Sequence, residues 1–568
     1  MSRSHTFFAE GGVAGFTHRA FTKSMGFDDV DMNRPIIGIC NTFSELNNCH
    51  RHFRELAEAV KRGVWQAGGF PLEFPTISLN DVFISPTSML YRNLAAMDTE
   101  EMIRAQPIDG VVLLASCDKT TPAALMGAAS ADIPAILVSG GPMLNGHYQG
   151  QILGACTDCR RLTAEFEAGV LKEPVYKDIE DGIVRSTGHC MVMGTASTMN
   201  SLAEALGMAL PGNGSIPAPD ARRLRLAEAA GRRSVALVAE GLRPSHIMTR
   251  PAFENAIALL CAVGGSTNAV IHLPAIAGRL GLDLPLELFD DISRRTPLMV
   301  NLRPAGRYQM EDLFYAGGIS AVLKQLLPLL HGETLTVTGD TLAGTVRSAE
   351  IHNADVIRSL EAPLNSEGGL AVLWGNLAPE GAVIKHAAAM PGLLRHRGRA
   401  VVFHDLSDLR DRINAPDLDV YEADILVLQN AGPVGGPGMP EVGNFPIPGK
   451  LLKQGVRDMV RISDARMSGT AFGTIVLHVA PESAVGGPLG LVQDGDQIEL
   501  DVSKRRLHLH VDEAELARRQ TAWQPPQPAY HRGYGRLYLD HVTQAPSGCD
   551  FDFLRGADPV RVVEQPKF

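Results

Sequence analysis

Three short apolar runs in the first 142 residues each stop abruptly at polar or glycine residues: PIIGICNT (35–42), IDGVVLLA (108–115) and PAILVSGGP (134–142). Continuous apolar runs of this length predict strands buried on both faces, which is the signature of a parallel sheet covered by helices. The segments between them supply the helices. HRHFRELAEAVKRGVWQA (50–67) places its apolar residues at helical spacing, and the small residues and helix formers after Lys119 predict a helix through about Ala129. Alternating strands and helices imply a parallel α/β layer through roughly the first 360 residues.

The pattern changes near residues 340–375. From GDTLAGTVRSAE (339–350) onward come short β-type runs: AVLWGN, AVVFHD, ADILVLQ, TIVLHVA, DQIELDV and RRLHLHV, punctuated by Gly and Pro. They predict a smaller, β-rich, barrel-like C-terminal domain. The expected division is an α/β domain over 1–362 and a β-rich domain over 363–568, a length too great for one compact core.

Composition narrows the function classes. With 45% hydrophobic and 20% charged residues the chain reads as an ordinary soluble globular protein, and a net charge of -11 argues against a nucleic-acid surface. The most apolar long stretch, FENAIALLCAVGGSTNAVIHLPAIAG (253–278), is broken by Gly-Gly-Ser-Thr-Asn and carries Glu254 and His272, so a buried helix pair or helix-turn is expected rather than a membrane span. MSRSHTFFAEGG lacks the apolar core of a signal peptide, so the expected location is the cytoplasm. Eight cysteines are too sparse for a disulfide framework. Cys156 and Cys159 form a CxxC without the second pair that a zinc ribbon needs, and are expected to be structural.

Three other cysteines share one kind of neighbourhood. Cys49 lies in ELNNCHRHF before a helix, Cys117 follows a strand, and Cys190 lies between Gly188 and a small-residue helix. Thiolates at helix N-termini suit iron, and three of them suit an iron–sulfur cluster with one open iron position. Oxygen donors recur in loops as well: Asp81 after PTISLN, Asp118 beside Cys117, and Glu441 at the end of the Gly/Pro-rich GPVGGPGMPE (432–441). Such donors suit magnesium. In RISDARMSGTAFGT (461–474), Gly469 permits a turn that exposes the Ser468 hydroxyl, a base or nucleophile candidate whose ordinary reading is a helix cap. Hydrolase chemistry is not favoured, since no Gly-x-Ser-x-Gly elbow is present.

SCDKTTPA, GHCMVMGTASTMN, GGSTNAVIHL, GNLAPEGAVIK, GPVGGPGMPE and ISDARMSGT, in this order, resemble the dihydroxy-acid and sugar-acid dehydratase family over about Pro35 to Leu554. That resemblance implies Cys49, Cys117 and Cys190 as ligands of a 2Fe-2S cluster. It further implies Asp81, Asp118, Glu441 and a carbamylated Lys119 as ligands of Mg2+, and Ser468 as the proton-abstracting base. It also implies an α/β domain followed by a β-rich one, and a homo-oligomer, a dimer or tetramer. GYGRLYLDHVTQAPSGCDFDFL (533–554) and ELAEAVKRGVWQAGGFPLEFPTISL (55–79) resemble the sugar-acid branch, closest to the aldonate (pentonate) dehydratases. The expected activity is conversion of a sugar acid to its 2-keto-3-deoxy acid. The alternatives are a dihydroxyacid dehydratase of branched-chain amino-acid biosynthesis and, outside catalysis, an iron–sulfur redox sensor.

Overall fold

The computed structural model describes residues 3–155, 157–167 and 169–556. Strands β1 (Ile36–Asn41), β2 (Phe70–Pro75), β3 (Gly110–Leu114) and β4 (Ala135–Val138) form one sheet in the order β2-β1-β3-β4, parallel throughout. Every residue of β1, β3 and β4 is buried, whereas the edge strand β2 exposes Glu73 and Pro75. The unbroken apolar runs are therefore the fully buried strands, the central β1 and β3 together with the covered edge strand β4. Because the strands are parallel, their C-terminal ends share one edge of the sheet. The loops that leave it after β1, β2 and β3 carry Cys49, Asp81 and Cys117–Lys119 respectively.

The helix Phe53–Gln66 covers one face by packing on Ala221–Glu240. Two glycines set that approach. A Cβ on Gly63 would lie 1.9 Å from the Glu228 carbonyl oxygen, and one on Gly231 would lie 2.2 Å from that of Val60. The strand–helix alternation ends sooner than the sequence predicts. After β4, apart from the hairpin β5 (Gly146–Tyr148) and β6 (Gln151–Leu153), the chain is mainly helical as far as Thr345. The expected buried pair is there, Arg250–Ala262 and Ala269–Arg279, divided at Gly264–Asn268. These helices are apolar nearly all round because helices and loops surround them, and a short apolar run of that kind carries no mark that separates it from an inner strand. Among the described residues no helix is long and apolar enough to cross a membrane.

The second layer is a closed eight-stranded barrel. Its strands are β7 (Ala371–Gly375), β8 (Ala378–Ile384), β9 (Arg395–Phe403), β10 (Ile425–Leu428), β11 (Arg461–Ser463), β12 (Ile475–Ala480), β13 (Gln497–Asp501) and β14 (Arg506–His510), in the order β10-β11-β12-β8-β7-β14-β13-β9. Closure leaves no unpaired edge. Alternate residues divide between two environments. Leu373, Ala382, Ile384, Val402, Val427 and Ile462 fill the interior. On the outer face Val372 and Val383 join the core of the α/β region, while Val401, Phe403 and Leu428 pack with Leu409 and Ile413 beside the helix Leu406–Arg412.

The chain finally returns to the α/β region. Arg92 donates to the carbonyls of Gly548 (2.8 Å) and Cys549 (2.9 Å), and Arg279 pairs with Asp550 at 2.6 Å. Of the CxxC pair, Cys159 is half-buried in the helix Thr157–Glu167. Cys156 lies outside the described residues.

Candidate active site

Lys119 organises the site. It closes the turn between β3 and the helix Thr120–Ala131, and its side chain is fully buried. Its Nζ lies 3.1 Å from Asp81 Oδ1, 3.2 Å from Asp118 Oδ2 and 3.2 Å from Glu441 Oε1. Burial acts to lower the lysine pKa, but the carboxylates of Asp118, Asp81 and Glu441 outweigh it and hold the pKa above the ordinary value. Burial first, and then the neighbouring Asp118, push Asp81 up to about 6. Burial also acts to raise the pKa of Asp118, but the Lys119 charge leaves it below the usual carboxylate range. Three oxygen donors from widely separated segments thus converge on one point.

Sulfur lies beside the oxygen. Cys117 Sγ is 3.6 Å from Asp118 Oδ1, and ligand atoms of Asp81, Cys117 and Asp118 all fall within 4.8 Å of one another. The adjacent Cys49 thiol, followed by burial, drives the Cys117 pKa well above the ordinary thiol value. The Cys190 segment is tied to the Cys49 loop through its backbone: Gly188 N–H donates to the Asn48 carbonyl at 3.1 Å, and the Ser197 hydroxyl donates to the Cys190 carbonyl at 3.1 Å. Hard carboxylate oxygens on one side and soft thiols on the other suit two metals of different character. A neutral thiol is a poor ligand, and a bound metal would have to displace its proton. The donor set fits both an iron–sulfur cluster and a magnesium ion.

Several supporting residues were invisible to sequence reasoning. His50 follows Cys49, and its Nε2 accepts the backbone N–H groups of Cys117 (3.0 Å) and Ser116 (3.2 Å). Those donors require an unprotonated Nε2, which leaves Nδ1–H to donate to the Thr42 carbonyl at 2.9 Å. Burial holds His50 neutral, pushing its pKa down to about 3. One imidazole therefore ties the loop after β1 to the loop after β3. Asn200 donates to the Ser116 carbonyl at 2.9 Å. Glu441 accepts from Arg466 at 2.8 Å and from Asn268 at 2.7 Å, and Asn268 also donates to Thr195 Oγ1 at 2.9 Å. The one available signal for these residues was their place inside the quoted segments: His50 in ELNNCHRHF, Asn200 in GHCMVMGTASTMN, Asn268 in GGSTNAVIHL and Arg466 in ISDARMSGT.

Ser468 lies two residues beyond Arg466, in a loop that contains no helix, so the helix-cap reading does not hold. Its Oγ is 2.8 Å from Thr470 Oγ1. The loop is pressed against the N-terminus of the helix Thr195–Ala205: a Cβ on Gly469 would meet Thr195 N at 2.7 Å and Ser266 Oγ at 2.8 Å. The structure thus gathers the Asp81, Asp118, Lys119, Glu441 and Cys117 side chains, sets Cys49 against Cys117, and brings the Cys190 and Ser468 segments alongside.

Two family models match the chain: the dihydroxy-acid/6-phosphogluconate dehydratase N-terminal model over residues 34–345, and the C-terminal model of the same family over residues 355–549. The chain is 54% identical to an L-arabinonate dehydratase of Rhizobium leguminosarum bv. trifolii, covering 95% of this chain and 94% of that protein. It is 54% identical to an L-arabonate dehydratase of Azospirillum brasilense, covering 98% and 97%. With a dihydroxy-acid dehydratase of Caldanaerobacter subterraneus the identity is 42%, over 95% and 98%. The chain belongs to the dihydroxy-acid/6-phosphogluconate dehydratase family.

Proposed function

We propose that the protein is a hydro-lyase that converts a sugar acid, an aldonate of the pentonate class, to its 2-keto-3-deoxy acid. The observation that carries this reading is the convergence of Asp81, Asp118 and Glu441 on Lys119, with Cys117 in the same cluster. The substrate class rests on the identity to the two arabinonate dehydratases, 54% against 42% for the dihydroxy-acid dehydratase. In this reading Cys49, Cys117 and Cys190 hold a 2Fe-2S cluster. Asp81, Asp118, Glu441 and a carbamylated Lys119 hold Mg2+. Carbamylation replaces an ammonium, which cannot ligate a cation, with an anionic oxygen donor.

Dehydration removes a weakly acidic proton from C2 and expels hydroxide from C3. When bound, the metals supply Lewis acidity for the substrate carboxylate and the departing hydroxyl. The chain's residues do the rest. Arg466 and Asn268 fix the Glu441 carboxylate, His50 fixes the Cys117 turn, and Gly469 lets the Ser468 loop lie against Thr195. Ser468 Oγ takes the C2 proton, and the enol formed tautomerises to the keto acid.

The division into domains 1–362 and 363–568, a cytoplasmic location and a homo-oligomer are part of the same proposal. Exposed Val13, Phe16, Phe21, Val82 and Phe83 support burial against a second copy. The test is an anaerobic assay of the holoenzyme against aldonates with detection of 2-keto acids. Product should form, should be lost on chelation and should return with added magnesium. Iron-containing protein that acts on no sugar acid, with or without magnesium, would refute the reading.

A further inference from the structure

The Gly/Pro-rich run 432–441 ends on Glu441, one of the three carboxylates at Lys119. The run forms neither helix nor strand. Two backbone bonds fold it on itself: Gly436 N–H donates to the Gly432 carbonyl at 2.9 Å, and Met439 N–H to that of Gly436 at 2.6 Å. Two turns of the barrel hold it from outside. Asp464, directly after β11, accepts the Ala431 N–H just before the run and the Ser483 N–H, each at 2.9 Å. Glu482, two residues beyond β12, accepts the Val434 and Gly435 N–H groups at 2.9 Å and the Gln544 side-chain amide at 2.8 Å. Gln544 in return accepts the Glu482 N–H at 2.9 Å. At the far end Arg466, two residues after Asp464, donates to the Met439 carbonyl at 2.7 Å and to Glu441 at 2.8 Å. The run is thus held at its start, middle and end. Gly432 leaves room for this hold, since a Cβ there would lie 2.6 Å from Glu482 Oε2.

Asp464 and Glu482 are both buried, and among the described residues neither forms an ion pair. Burial, and then the neighbouring Asp464, push Glu482 up to about 7. Two neighbouring buried carboxylates without a cation are a costly way to pin a loop. A neutral amide would not serve in place of Glu482. Its Oε1 faces the N–H donors of Val434 and Gln544, and its Oε2 faces those of Val434 and Gly435. An amide NH2 would meet a donor in either orientation.

We propose that Glu482, together with Asp464, is a positioning residue for Glu441 and sets the magnesium affinity of the site from behind it; this rests on Glu441 being a magnesium ligand. The hold on Val434 and Gly435 passes through the two turn bonds to Met439, and Arg466 ties Met439 to the Glu441 carboxylate. Releasing the middle of the run frees its last residues. The cost of ordering Glu441 then falls on metal binding, which weakens.

The test is calorimetric titration of magnesium into chelator-treated holoenzyme that keeps its iron. Wild type that binds no magnesium refutes the functional reading before Glu482 is reached. Glu482→Gln should weaken magnesium binding by about 10-fold or more, as loss of a partner behind a metal ligand does, with iron content unchanged. Glu204→Gln is the control. Glu204 is also buried and accepts two backbone N–H groups, those of Gly212 and Gly214, in the α/β region. That variant should lose stability and keep its magnesium affinity. Gln544→Ala removes a single bond to Glu482 and probes the same hold should Glu482→Gln fail to fold; it should weaken magnesium binding in the same direction, by less. Wild-type magnesium affinity in folded Glu482→Gln, or in Gln544→Ala where that protein does not fold, would overturn the proposal. So would equal weakening in Glu204→Gln, which would make the effect one of general stability.

Discussion

Cys117, Asp118 and Lys119 are consecutive, yet each answers to a different chemistry. The thiol is a soft donor of the type that iron prefers, whereas the carboxylate and the lysine belong to the oxygen cluster. The proposed roles therefore separate by substitution. Cys117→Ser should lose iron, colour and turnover together. Lys119→Met should keep the iron, because the thiols remain, and lose turnover by several orders of magnitude along with the magnesium requirement. Cys159→Ser should change neither metal, since Cys159 belongs to a separate helix. Iron analysis, visible absorption and product assay check all three, and a Cys117→Ser protein with full iron and activity would refute the cluster assignment. The residues that touch the metals in this account were legible because their type is their function. His50, Asn268 and Arg466 were not, because an imidazole or a guanidinium acquires its role only from the distant backbone or carboxylate that folding brings to it.

Among the elements, the fully buried strands were legible where a continuous apolar run coincided with a strand, as in β1, β3 and β4. Two barrel strands were not. β11 is three residues long, RIS, and β8 opens with Ala-Pro-Glu-Gly, which reads as a turn. Their pairing comes from closure of the barrel, a tertiary constraint without a local signal. The helix crossing at Gly63 and Gly231 is likewise visible only in three dimensions. There Gly231→Ala sets a helix-propensity gain of up to about 1 kcal/mol against a Cβ placed 2.2 Å from the Val60 carbonyl oxygen. The clash with backbone should prevail, giving net destabilisation of about 1–3 kcal/mol. Denaturant unfolding checks this, and a variant as stable as wild type would show that the helices separate freely.

At the scale of the whole molecule the site is shared between the sheet edge and the barrel, since Asp81, Asp118 and Lys119 come from one and Glu441 from the other. Buried histidines near that seam couple its stability to acidity. His478 sits at an irregularity in β12 with φ of 55°, and burial pushes its pKa down to about 3. Between about pH 6.5, the unfolded value, and pH 3 the folded chain binds fewer protons at this residue than the unfolded chain. Its contribution is therefore intact above pH 6.5 and is lost as pH falls through that window. His478→Asn, which tolerates the positive φ, should flatten the dependence of unfolding free energy on pH by up to about 1.4 kcal/mol per unit. Unfolding curves at pH 5 and 6.5 check this, and an unchanged slope would contradict it.

The central claim, two-metal dehydration of a sugar acid, is tested most directly by kcat/KM of anaerobic, magnesium-loaded enzyme for L-arabinonate and other pentonates against 2,3-dihydroxyisovalerate. A site built to bond distal hydroxyls leaves its polar groups unpaired against methyl groups, so at least one pentonate should be preferred by about 10⁴-fold or more. Equal or better turnover of 2,3-dihydroxyisovalerate than of every aldonate would contradict the account.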